Sequence, residues 1–274
     1  AVEEGRGIAA NARGFVRVLL GANLGEVLAV GAAAALGLPT LLAPAQLLWL
    51  NLVTDGLPAT ALAFNPKDPE AMNRPPIRPG ARLLDGGAAM RTAATGVAVG
   101  AAALLAFARW LCLAPEGPGA TPWQLLHWQA CAPGAEAFAG LDCGAFRDPR
   151  AEAAALTALV VAEMAQALCA VAPAASVLRV PPTANPWLVG AVALAVAQHA
   201  AVVNVPALRH LFSLGEAAPT AADWAAACAL AVPVVAVEEG FKAWARKEGG
   251  ADGHGHAQGA KAHSEGEVES DSSE

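Results

Sequence analysis

Charge is what this sequence has least of. Only 15% of its 274 residues are Asp, Glu, Lys or Arg, against about a quarter in an ordinary soluble domain. With 55% hydrophobic residues and a mean hydropathy of +0.43, that shortage excludes the soluble class. No block of basic residues is present, so no nucleic-acid partner is expected. The net charge of −7 identifies no partner either, because much of the acid lies at the C-terminal end. No repeat of about 20–50 residues is visible; the Ala and Gly richness is compositional, although small residues let helices pack closely in a membrane. No cleavable leader is visible either. Residues Ala1 to Arg6 are polar, lack an initiator Met and read as the interior of a longer protein. The cysteines number five, which is odd. Cys112, Cys169 and Cys228 lie in or at apolar segments, where a thiol acts as a small hydrophobe.

What is present is a series of apolar blocks long enough to cross a bilayer. The expected fold is therefore all-α: a polytopic membrane protein with six transmembrane helices, at about Phe15–Leu36, Ala43–Ala63, Gly87–Leu111, Ala151–Val171, Pro186–Val205 and Trp224–Val237. Residues 1–17 form a helix with a polar face that runs into the first span. Phe64 to Gly86 is a loop rich in proline and charge, including the run from Lys67 to Arg82. Pro173 and Pro181-Pro182 mark a later short loop. Residues 1–248 make one membrane domain; residues 249–274, Gly, Ser, His and acid, are expected to be disordered. The tail histidines His254, His256 and His263 read as incidental residues of a solvated tail.

Six spans place both termini on one side. The N-terminal helix, the second-to-third loop with its flank, the fourth-to-fifth loop and the C-terminal segment hold thirteen of the seventeen Lys and Arg. Positive charge marks the cytosolic face, so both termini are expected in the cytosol. The loop containing Cys131 and Cys143 is then lumenal or extracellular, where a disulfide persists. Two cysteines twelve residues apart are candidate partners; two free thiols are the alternative.

The informative residues are the polar ones inside the apolar blocks. The second block reads Gln46-Leu-Leu-Trp-Leu-Asn-Leu-Val-Thr-Asp-Gly-Leu-Pro58. A carboxylate at mid-membrane costs roughly 2.5–3.5 kcal/mol on insertion scales, so Asp55 calls for a function. Asn51 and Asp55 lie one turn apart, with Thr54 beside them. Gly56 and Pro58 are expected to break the helix just after that face, Pro58 freeing the carbonyl of Thr54. The first span adds Asn23 and Glu26; the fourth adds Glu163, with Gln166 three residues on. The fifth and sixth have little to match: Gln198 and His199 lie toward one end, and Glu238 and Glu239 at the cytosolic exit. Three helices thus offer three carboxylates, carboxamides and a hydroxyl, without Cys or His. That donor set suits a hard cation such as Ca²⁺. Uncompensated, three carboxylates in a low dielectric repel and hold protons, so cation binding is expected to exchange against protons. A single buried Asn or Gln also serves as a polar tie between helices; Asn23 has both readings, and for Gln166 the tie is the simpler one.

These residues carry a resemblance. Gln46 to Pro66, with Asn51-Leu-Val-Thr-Asp-Gly-Leu-Pro58 at its centre, resembles the sixth membrane helix of the sarco/endoplasmic-reticulum-type calcium pumps, a branch of the P-type ATPases. Ala1-Val-Glu-Glu-Gly-Arg6 and Asn23-Leu-Gly-Glu-Val27 resemble the fifth helix and its stalk. Arg74-Pro-Pro76 resembles the following cytosolic loop, Gly140-Leu-Asp-Cys143 with Cys131 the disulfide-bearing lumenal loop, and Glu163-Met164 the eighth helix. The likeness spans about residues 1–248. It implies helices five to ten of a ten-helix pump in the endoplasmic reticulum membrane, moving Ca²⁺ from cytosol to lumen with protons returning. It further implies that Asn23, Glu26, Thr54, Asp55 and Glu163 form one Ca²⁺ site, that Asn51 and Asp55 contribute to a second, and that Cys131 and Cys143 are bonded. Sodium/potassium pumps usually have Asp where Asn51 stands, and other calcium pumps lack the full set of acids. The position of Gln166 is usually Asn in the family.

The family's phosphorylation motif, Asp-Lys-Thr-Gly-Thr, does not occur. The resemblance therefore assigns ATP and Mg²⁺ to the full-length pump and makes its first four helices and cytosolic domains, the lipid bilayer and small regulatory membrane peptides the expected partners. Two other functions fit the residues: a truncated, non-catalytic membrane protein that binds cations or regulates a full-length pump, and a secondary cation/proton exchanger, which would need a complete site within six helices.

Overall fold

The computed structural model describes residues 2–66, 84, 86–132, 134–172 and 175–270, with side chains as far as Lys247. The Lys67–Arg82 run, with Arg74-Pro-Pro76, and Pro173 lie outside the described residues. No strand occurs among those described.

Helix α1, Val2–Ala35, is one continuous helix of 34 residues, about 50 Å long at 1.5 Å per residue. It therefore both crosses the membrane and extends out of it as a stalk. A Schellman turn ends it: Leu38 N donates to Ala33 O at 2.9 Å and Gly37 N to Ala34 O at 3.1 Å, with Gly37 at φ +67°, where a residue without Cβ is unstrained.

The second span, Pro44–Phe64, is a composite. It opens as α2, Pro44–Trp49, widens into a π-helical turn at Leu50–Thr54, resumes as α3, Gly56–Ala61, and tightens to a 3₁₀ turn at Leu62–Phe64. The distortion thus precedes Asp55, whereas the Gly56/Pro58 pair had placed it afterwards. Pro58 is the third residue of α3, within the first turn, where a missing N–H is tolerated. The ladder adjusts upstream instead, with Asp55 N donating to Leu50 O, five residues back, at 3.0 Å. Such π-bulges are frequent at functional sites.

Helix α4, Gly86–Leu113, is followed by a loop containing the short α5, Pro122–Leu126, and several 3₁₀ turns. Cys131 and Cys143 are disulfide-bonded, their Cα atoms 5.7 Å apart. Trp128 Nε1 donates to Gly37 O at 2.7 Å, fastening this loop to the end of α1. Then come α6 (Pro149–Cys169), α7 (Pro186–Asn204), α8 (Pro206–Leu211) and α9 (Ala221–Ser270). Among the described residues five helices, α2, α5, α6, α7 and α8, begin on proline, whose fixed φ and absent N–H suit the first helical position. α9 continues as helical backbone beyond its membrane-length part, Ala221–Lys247, into the segment for which composition predicts disorder.

Among the described residues, six helical segments are long and apolar enough to cross a membrane, and lipid favours helices because each satisfies its own backbone. Helix α6 is the centre. It packs on α4, α7 and α9, and 78% of its apolar window is buried, against 22% for that of α9. Helices α1 and α4 cross on small residues. A Cβ on Gly100 would lie 2.7 Å from Gly25 O, and one on Gly25 would lie 2.7 Å from Val99 Cγ1. Bare backbones meet there, as in the small-xxx-small packing of membrane helices, Gly96 and Gly100 being four apart. This close approach carries the next residue of α1, Glu26, into the interior.

A candidate cation site among three helices

Glu26 of α1, Asp55 at the π-to-α junction of the second span and Glu163 of α6 converge. Each offers a carboxylate oxygen, and these oxygens all lie within 4.8 Å of one another. All three residues are buried, with 5%, 6% and 2% of their surface exposed. Four oxygens, Glu26 Oε1, Asp55 Oδ2 and both of Glu163, find no hydrogen-bond donor. Buried polar atoms are rarely left so, and carboxylates packed this closely away from water require compensating positive charge, supplied by protons or a cation.

The surrounding polar atoms shape the cluster. Asn51 Nδ2 donates to Glu26 Oε2 at 2.6 Å and to Leu47 O at 3.0 Å. Thr54 Oγ1 donates to Leu50 O at 2.8 Å, the same carbonyl that accepts from Asp55 N. Thr54 thereby holds the π-turn that presents Asp55, and its hydroxyl hydrogen is committed to the backbone. Asn23 turns its amide to its own helix, Nδ2 to Leu19 O at 2.8 Å. Gln166, one turn beyond Glu163, reaches across to α1 with a long bond from Nε2 to Val18 O, 3.4 Å, where Gly21 leaves it room; its Oε1 is unpartnered. Of the six residues singled out as ligands, the three carboxylates and Asn51 thus meet, while the side chains of Thr54 and Asn23 donate to nearby backbone.

Other buried polar groups tie helices together outside this cluster. Glu238 of α9, read as standing at the helix exit, is 1% exposed. It accepts from Arg91 of α4 through both Nε (2.9 Å) and Nη2, from Arg17 Nη1 of α1 at 3.4 Å, and from Thr95 Oγ1 at 2.8 Å. Gln46, fully buried, donates to Glu152 Oε2 of α6 at 3.2 Å and to Phe212 O at 3.0 Å. His199, also fully buried, lies 3.1 Å from Thr157 Oγ1 and edge-on to Trp224. Asn185 precedes Pro186, a helix-start signal readable in sequence; nothing local could have revealed the partners of the others.

Six membrane-length helices around a buried acidic cluster define a multi-pass membrane protein with an intramembrane, oxygen-rich site. Residues 39–244 match the family model described as cation transporting ATPase, C-terminus. The chain belongs to that family, the C-terminal membrane domain of cation-transporting P-type ATPases. Asp55 and Glu163 fall inside the matched residues; Glu26 lies before them, on α1.

Proposed function

We propose that this chain is the C-terminal transport part of a sarco/endoplasmic-reticulum-type Ca²⁺ pump, and that Glu26, Asp55 and Glu163 are ligands of the transported ion. The observation that carries this reading is the convergence of three buried carboxylates with four oxygens lacking any donor. Hard oxygen donors without thiolate or imidazole fit Ca²⁺, which takes about 6–8 oxygens. Asn51, whose amide touches Glu26, adds a carboxamide oxygen if its side chain turns. Thr54 Oγ1 and Asn23 Oδ1 keep lone pairs for the ion while the Thr54 hydroxyl hydrogen stays on Leu50 O and the Asn23 amide on Leu19 O.

In this reading Ca²⁺ displaces protons from the carboxylates on the cytosolic side, and protons return as the ion leaves toward the lumen of the endoplasmic reticulum. Both termini face the cytosol, and the Cys131–Cys143 loop faces the lumen. ATP and Mg²⁺ act on cytosolic domains of the full-length pump, whose remaining helices complete the ion pathway; small regulatory membrane peptides are candidate partners.

The test is ⁴⁵Ca²⁺ binding to the chain in lipid nanodiscs. Wild type binds Ca²⁺ in preference to Mg²⁺, and binding weakens as pH falls because protons compete for the same oxygens. Asp55→Asn weakens it at least about tenfold, equivalent to about 1.4 kcal/mol. Undiminished Ca²⁺ binding by Asp55→Asn would overturn the assignment.

A further inference from the structure

The three elements that carry the carboxylates are tied together a second time, at the end of the second span far from α2. Asn185, the N-cap of α7, is fully buried. Its Oδ1 accepts from Leu188 N at 3.1 Å, closing the first turn of α7. Its Nδ2 donates to Ala61 O at 3.0 Å and to Asn65 Oδ1 at 2.6 Å. Asn65 in turn directs Nδ2 at Ala170 O, the C-cap of α6, at 3.4 Å. From the other side Asn11 of α1 donates to Ala63 O at 3.1 Å and Asn65 O at 3.2 Å.

The chemistry explains the residue type. The last carbonyls of a helix have no partner within it, and a buried carbonyl must find one. A carboxamide supplies two donors and an acceptor without charge, so it can cap one helix and satisfy another in a single step. Each tie also has a fixed lever to a carboxylate. Asn11 is on the same unbroken helix as Glu26. Ala61 lies six residues, less than two turns, beyond Asp55. Ala170 lies seven residues, about two turns, beyond Glu163.

We propose that Asn11, Asn65 and Asn185 form an amide knot that sets the relative register of α1, the second span and α6, and that Asn185 is thereby a positioning residue for the carboxylate cluster. This rests on the reading of that cluster as a cation site. With one end of α3 held by the knot, adjustment of Asp55 is confined to the π-turn at Leu50–Thr54, where the backbone ladder is already irregular.

Asn185→Ser separates this role from simple capping. The Ser hydroxyl still caps α7 but is too short to reach Ala61 O, whereas Asn185→Ala loses the cap and both ties. Asn11→Ala cuts the tie from the α1 side at a half-buried position and carries the test if the Asn185 variants do not fold. In nanodiscs, ⁴⁵Ca²⁺ affinity should fall about tenfold in Asn185→Ser and in Asn11→Ala, since site geometry must hold to about 0.5 Å; helix content of Asn185→Ser should stay near wild type, and its thermal midpoint should fall less than that of Asn185→Ala. A merely structural role would lower the midpoint and leave the affinity of the folded protein unchanged. Wild-type affinity in both variants, with Asp55→Asn still defective, overturns the knot alone. Absence of Ca²⁺ binding by the wild-type chain overturns the cation reading beneath it.

Discussion

Asn51 and Glu26 are joined by a 2.6 Å hydrogen bond in which the amide donates and the carboxylate accepts. The amide hydrogen thus supplies partial positive charge to a carboxylate whose other oxygen has no donor among the described residues. Asn51→Asp replaces that donor with a fourth acid beside Glu26, which two oxygens can share only through a proton. We expect the variant to release more protons for each Ca²⁺ bound than wild type does, measured with a pH dye in weakly buffered nanodiscs. Equal proton release would mean that position 51 does not face the ion.

Glu238 answers two arginines at once. It accepts from Arg91 and Arg17, all three residues being buried, and it thereby joins α1, α4 and α9. Removing one partner of a buried charge group strands the others, a cost of about 3–5 kcal/mol. Glu238→Gln should therefore lower the thermal midpoint sharply. Arg91→Lys, which keeps the charge but loses the two-pronged contact, should fall between that variant and wild type. A midpoint for Glu238→Gln equal to that of wild type would show the group to be solvated and dispensable.

The crossing of α1 and α4 makes a prediction of opposite character, about space rather than charge. At Gly100 an added methyl meets Gly25 O, a backbone atom that no rotamer change can move. Gly100→Ala should destabilise the bundle by about 1–3 kcal/mol, as overpacking does, and should weaken Ca²⁺ binding by displacing Glu26. Gly31→Ala and Gly190→Ala, where nothing lies within 4 Å of the new methyl, should be neutral in both assays. Equal behaviour of the three variants would contradict the close approach.

Much of the architecture was legible before any coordinates. The apolar blocks marked six spans because a lipid-embedded chain must satisfy its own backbone, and a run of suitable length does so as a helix. Asp55, Glu26 and Glu163 stood out because charge is costly at that depth. The second span was read less well. Gly56 and Pro58 marked an irregularity, but the backbone widens upstream of them, at Leu50–Thr54, and resumes as α3 from Gly56. The roles of Glu238 and Asn185 were harder still, because their partners are more than a hundred residues away, on other elements.

The sequence by itself determined which segments cross the membrane, which acids lie within them and, through the run around Asp55, the family to which the chain belongs. These are matters of local hydrophobicity and residue spacing, decided within a few turns of helix. Only the tertiary structure decided that three acids from three helices come within 4.8 Å, that the π-turn precedes Asp55, and that Asn185 and Glu238 tie distant helices together. Helix faces meet by shape, through the bare backbones of Gly25 and Gly100 and through buried groups that must find partners, and neither property is visible in any one segment alone.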